Sequence, residues 1–136
     1  MSPLSLRSLR GAHASASAAP WLTRASLAFV LVSTATFAHA QLKKATPPVG
    51  GTVASPSEIR LEFSEGVEPK FSSVTLTGAG GATPPLGAAR VEAGHQEVLI
   101  VPVAKALPPG AYTVHWHAVS VDSHHTQGDF QFTVKP

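Results

Sequence analysis

The sequence predicts a small all-β sandwich, and three observations carry that expectation. Apolar and polar residues alternate with a period of two in several separate runs. Gly- and Pro-rich turn signals divide those runs at intervals of roughly ten residues. No stretch carries a long 3.6-residue repeat with helix caps.

Taken in order, Ile59, Leu61 and Phe63 share one face of the first run, with Arg60, Glu62 and Ser64 on the other. Val74-Thr75-Leu76-Thr77 repeats the pattern and stops at Gly78. Glu97 to Val103 is a mostly apolar run, closed by Pro102 and the turn at Pro108-Pro109-Gly110. Ala111 to Val119 alternates again, with Tyr112, Val114, Trp116 and Ala118 inward. Phe130, Phe132 and Val134 form the last run. Thr46-Pro47-Pro48, Gly50-Gly51 and Gly94 are turn signals, and the small residues from Gly78 to Ala89 read as a mobile surface loop. About seven strands fit such a span, which points to a Greek-key β-sandwich of immunoglobulin-like or cupredoxin-like form.

The chain begins with an address rather than with this domain. A Ser/Ala-rich basic stretch to Arg24 precedes an apolar run from Ala25 to Val32 and then small residues to Ala38. That is the layout of a secretory signal, and the run falls short of the ~20 residues that span a bilayer as a helix. Two cuts fit. One follows Ala38 and leaves His39 first; the other follows Ala40, at the A-x-A site Ala38-His39-Ala40, and leaves Gln41. The domains expected are a signal peptide over residues 1–38 and a β-sandwich over residues 39–136.

The leader also explains the charge. The formal net charge is +2 with a pI near 9.3, but Arg7, Arg10 and Arg24 lie in the leader and no acidic residue precedes Glu58. Without those three arginines the balance becomes −1. A near-neutral domain without clustered Lys/Arg does not fit nucleic-acid binding. The absence of cysteine excludes disulfides, thiolate metal sites and thiol nucleophiles. Export without cysteine suits a periplasmic domain held by its core alone.

Six of the seven histidines fall in residues 39–136, and they carry what chemistry there is. His115 and His117, at i and i+2 of one strand, share a face; the plain reading is that both are solvated, opposite the core face. His95, beside Gly94, reads as a loop residue. Asp122 and His124 follow in a turn, where a carboxylate and an imidazole two residues apart can converge on one Cu(II), Ni(II) or Zn(II) ion. Asp122 would also serve simply as a turn former, and sequence alone does not set His124 apart from His125. No G-x-S-x-G or phosphate loop is present. Glu65 and Glu68 offer no general-acid logic. Ser120, Asp122 and His124 are too close in sequence to orient one another as a nucleophilic triad.

The chain resembles the periplasmic copper-resistance proteins CopC and PcoC. The matching pieces are His39-Ala-Gln-Leu-Lys-Lys-Ala-Thr-Pro-Pro, Ile59-Arg-Leu-Glu-Phe-Ser-Glu65, and Ala111-Tyr-Thr-Val-His-Trp-His-Ala-Val-Ser-Val-Asp-Ser-His124 followed by Thr126 and Gly128. The resemblance implies a Greek-key sandwich that binds one Cu(II) through the N-terminal amine and imidazole of the first mature residue, here His39, together with Asp122 and His124. Glu65 matches a position near the family's site and is expected beside the ligands rather than among them. Aligning Leu42 and Thr46-Pro47 with the family puts its first residue on His39 and so favours the cut after Ala38. Some members also hold Cu(I) in a Met-rich loop. Here Met1 is the only methionine, so the mature chain has no sulfur ligand and one Cu(II) site is expected.

The function implied is a non-enzymatic periplasmic protein for copper resistance, which sequesters the ion or passes it to an inner-membrane partner of the CopD type. The main alternative is an immunoglobulin-like adhesion or scaffold module with incidental histidines. A copper oxidase is a third reading, set against the absence of a legible substrate cleft and against Asp122 filling a position that oxygen would need.

Overall fold

The structure, a computed structural model, describes residues 39–136. The leader expected over residues 1–38, with its basic stretch and apolar run, lies outside the described residues.

Among the described residues there are eight strands: β1 (Leu42–Thr46), β2 (Thr52–Val53), β3 (Glu58–Phe63), β4 (Ser73–Thr77), β5 (Arg90–Glu92), β6 (His95–Pro102), β7 (Gly110–Val119) and β8 (His125–Val134). They form two four-stranded sheets, ordered β1-β3-β6-β5 and β2-β8-β7-β4. The chain passes from sheet to sheet after β1, β2, β3, β4 and β6, so most sequence neighbours face each other across the core rather than pair. All pairings are antiparallel except β2 with β8.

The four alternating runs of the sequence correspond to β3, β4, β7 and β8, with the expected faces inward, and the apolar run to β6, in which Val98 to Val101 are all buried. Ile59, Leu61 and Phe63 are buried against Leu99 and Val101 of the same sheet, and against Leu76, Val114, Phe130, Phe132 and Val134 of the other. Each such side chain contributes roughly 1.5–3 kcal/mol when fully buried. Eight strands stand where about seven were expected, and the three that no run marked are β1 and the short β2 and β5, the last two too brief for a period to show. The Gly78–Ala89 loop is also tied down more than its composition suggests. Gly78 N–H donates to Ala82 O at 2.7 Å, Gly87 N–H donates to Pro102 O at 2.7 Å, and Leu86 bridges to Val103.

At one end of the sandwich four strand ends converge: the start of β1, the end of β3, the end of β7 and the start of β8. Leu42 is in register with Phe63, and Val119 with His125. The segment after β3 links the two sheets there, through a bridge between Val67 and Ser120 and a 3.0 Å hydrogen bond from Val67 N–H to Gln96 O.

Trp116, partly buried, packs against the core at this end. Its ring meets Phe63 edge-on at 5.3 Å and passes close over Gly128, its register partner on β8. A Cβ at position 128 would stand 2.7 Å from the indole. Gly128→Ala should therefore push the ring aside and destabilise the fold by about 1–3 kcal/mol, as overpacking does. Denaturant unfolding followed by fluorescence of Trp116, the only tryptophan in residues 39–136, measures this.

Candidate metal centre

His39 is held in place by its backbone and its neighbours rather than by a regular element. Ala40 is fully buried, a small apolar plug at the sandwich end. Its carbonyl accepts a 2.8 Å hydrogen bond from the Thr126 hydroxyl on β8. On the other side Ser64, just past β3, reaches the same segment three times. Its N–H donates to Gln41 O at 2.8 Å, its Oγ accepts from Gln41 N–H at 2.9 Å, and its hydroxyl donates to His39 O at 3.2 Å. Ser64, just past β3, and Thr126 of β8 thus fix the segment that leads into β1, and His39 at its start is exposed.

Asp122 and His124 come from the turn between β7 and β8, which is organised around a buried serine. Ser120 is 1% exposed, and its hydroxyl donates a short hydrogen bond to Asp122 Oδ1 while accepting from His124 N–H at 3.2 Å. The turn closes through Ser120 N–H to His124 O at 2.9 Å and Ser123 N–H to Ser120 O at 2.8 Å. Ser123 takes a left-handed conformation with φ of 71°, a cost of roughly 1–2 kcal/mol that the surrounding hydrogen bonds sustain.

The three side chains meet in sequence. The His39 and His124 rings are in edge contact with centroids 5.1 Å apart. His124 Nδ1 lies 2.8 Å from Asp122 Oδ2. The Asp122 carboxyl is held below the ordinary carboxylate range, chiefly by the Ser120 hydroxyl, against the effect of burial, and further by the His124 ring and main chain. It is an anion at neutral pH beside two imidazoles, which is the chemistry of a tetragonal nitrogen/oxygen metal site. Among the described residues no three His, Asp or Glu side chains are yet closed around a single point. Asp122 is turned to Ser120, and in the uncut chain the nitrogen of residue 39 is a peptide amide rather than an amine. The donors suit a divalent nitrogen- and oxygen-seeking ion, and the amine is the piece that proteolysis would supply.

Glu65 is part-buried in the segment that Ser64 ties to His39 and that Gly66 ties to the turn, by accepting from Val121 N–H at 3.0 Å. Its Oε1 is buried with no hydrogen-bond partner among the described residues. The same geometry disposes of a serine nucleophile. Ser120 faces Asp122 rather than an imidazole, so the order of contacts is Ser–Asp–His and not the Ser–His–Asp of a nucleophilic triad. His95 pairs with Glu97 at 3.1 Å, apart from this site. His115 and His117 do share the outward face of β7, and His125, expected to be indistinguishable from His124, turns instead to His117 at 3.1 Å.

Ala40, Ser64, Ser120 and Thr126 were not singled out as functional from sequence. Thr126 and Gly128 stood in the motif without a stated reason. The structure gives one for each: a hydroxyl for the Ala40 carbonyl and a bare backbone for the Trp116 ring.

The CopC domain family model matches residues 42–135. The chain is 44% identical over 106 residues to protein YobA of Escherichia coli K12, covering 77% of this chain and 86% of that protein. Its structure is similar to the crystal structure of CopC from Methylosinus trichosporium OB3b, with a TM-score of 0.67 and 32% identity, over 72% of this chain and 95% of the other. It is also similar to PcoC from Escherichia coli, a methionine-rich copper resistance protein, with a TM-score of 0.62 and 37% identity, over 72% of this chain and all of that one. The two-sheet fold and the match across residues 42–135 place this chain in the CopC family.

Proposed function

We propose that this protein binds one Cu(II) ion in the periplasm as cargo, through the amine and imidazole of His39, the Asp122 carboxylate and His124, and that it acts in copper resistance without catalysing a reaction. The observation that carries this reading is the His39–His124–Asp122 contact chain at the sandwich end. An amine and the imidazole of the same residue form a chelate ring. A second imidazole and a carboxylate complete three nitrogens and one oxygen, a set that favours Cu(II) in tetragonal geometry. Glu65, which the family resemblance puts near the site, would add a further carboxylate beside the ligands.

Release at Ala38 is part of the proposal, and Ala40 supports it. A cut after Ala40 would remove a fully buried residue and the acceptor of the Thr126 hydroxyl, besides discarding His39. The absence of Met and Cys from residues 39–136 supports Cu(II) rather than Cu(I) as the ion held, in contrast to the methionine-rich PcoC. Transfer onward to an inner-membrane partner of the CopD type is the step that the family resemblance adds.

Two measurements test this. The intact mass of the exported protein should begin at His39, and Cu(II) titrated against it should saturate a tight site at one equivalent. His39→Ala should weaken that site by far more than tenfold, because amine–imidazole chelation is lost. A mass that begins at Gln41 would remove the amine chelate and refute the site.

The second concerns acid. Since the Asp122 carboxyl is held low, its interactions with Ser120 and His124 stabilise the fold above the unfolded-state value, about 3.9, and are lost as the pH falls through the lower folded value. Ser120→Ala removes the largest cause. The Asp122 carboxyl should then titrate at higher pH by carbon-detected NMR, and copper should be released at a higher pH than in the parent protein.

A further inference from the structure

His115 and His117 stand two residues apart on the outward face of β7, but they do not pair with each other. Both ring nitrogens of His115 are engaged, Nδ1 at 2.6 Å from Asp129 Oδ1 and Nε2 at 3.1 Å from Thr77 Oγ1. His117 meets His125 instead. In the β7–β8 register His117 faces Gln127 and His125 faces Val119, so the two histidines are diagonal neighbours on one sheet face. Nε2 of His117 and Nδ1 of His125 are 3.1 Å apart, with ring centroids at 5.2 Å and planes inclined by 44°.

That separation suits more than a hydrogen bond. Two imidazole nitrogens, each about 2.0–2.1 Å from one ion and subtending an angle between about 90° and the tetrahedral value, stand about 2.9–3.4 Å apart. The two nitrogens are already at that spacing, and a turn of each ring about its χ2 aims both at one ion between them. The geometry points to a second divalent-metal site, in which His117 Nε2 and His125 Nδ1 are adjacent ligands to a late first-row cation of the Cu(II), Ni(II) and Zn(II) class.

In the metal-free pair one ring N–H donates to the lone pair of the other. The ion takes the place of that proton, which moves to the far nitrogen of its own ring. Solvent supplies the remaining ligands. A concavity of about 480 Å³ on the His117 side of the pair, lined also by His115, Ser73, Thr75, Gln127 and Asp129 but not by His125, has room for them. With two protein ligands rather than four donors, the site is the weaker of the two. It does not depend on the first, because His124 turns to His39 and Asp122 while His125 turns to His117.

Zn(II) titration followed by NMR of the histidine ring protons tests the site in the chain carrying Asp122→Asn and His124→Gln, whose first site lacks two of its ligands. The His117 and His125 signals should shift together with one midpoint, while His115 stays in place. His117→Gln or His125→Gln should weaken this binding by at least about tenfold, and His115→Gln should leave it unchanged. In the unsubstituted chain the same two signals should move only with the second equivalent. Movement of one ring without the other, or Zn(II) binding indifferent to His117→Gln, would overturn the site.

Discussion

The candidate centre depends on a clamp three residues long. His39, Ala40 and Gln41 belong to no regular element, yet Ser64 from one sheet and Thr126 from the other hold their backbone, and Ala40 fills the end of the core. A chain terminus ordinarily frays, because its few contacts do not offset the conformational entropy of about 1–2 kcal/mol lost per fixed residue. Here four hydrogen bonds and one buried side chain act on adjacent residues. The consequence is chemical as well as structural: His39 is delivered to the His124 ring, 85 residues away in sequence.

The opposite wall of the site is built on a different principle. The β7–β8 turn is ordered from within by Ser120, whose hydroxyl serves the Asp122 carboxylate and the His124 main chain at once. It both shapes the turn and holds the Asp122 carboxyl below the ordinary carboxylate range. Ser123 accepts left-handed backbone in return. One wall is thus a short segment pinned from two strands and the other a hairpin turn pinned by its own first residue. The side chains they carry, His39 and His124, are in contact.

The sandwich was largely legible in the sequence. Strands with one buried face show a period of two, and β3, β7 and β8 each place the expected residues inward. β1 was not legible: in Leu42-Lys43-Lys44-Ala45-Thr46 only Ala45 is buried, and a bulge between Leu42 and Lys44 breaks the alternation. β2 and β5, at two and three residues, are defined only by their partners. At the site, Asp122 and His124 were visible as a weak pair, and His39 only through the family resemblance, since nothing local marks a residue whose role depends on partners far along the chain. Ser64, Ser120 and Thr126 stand in the sequence without their roles showing, because small hydroxyl residues are common and their importance lies in what they face. The outward histidines teach the same lesson. Sequence spacing offers His115 as the partner of His117, whereas strand register supplies His125.

The claim at the centre is that a pinned terminus and a hairpin turn together hold a single ion. Pulsed electron paramagnetic resonance of the chain starting at His39, loaded with one equivalent of Cu(II) and compared with and without ¹⁵N-histidine labelling, tests it most directly. The account requires coupling to two imidazoles and to the amine of residue 39, with the second imidazole lost in His124→Gln. A spectrum with one imidazole, or one that is unchanged by His124→Gln but lost in His117→Gln, would contradict it.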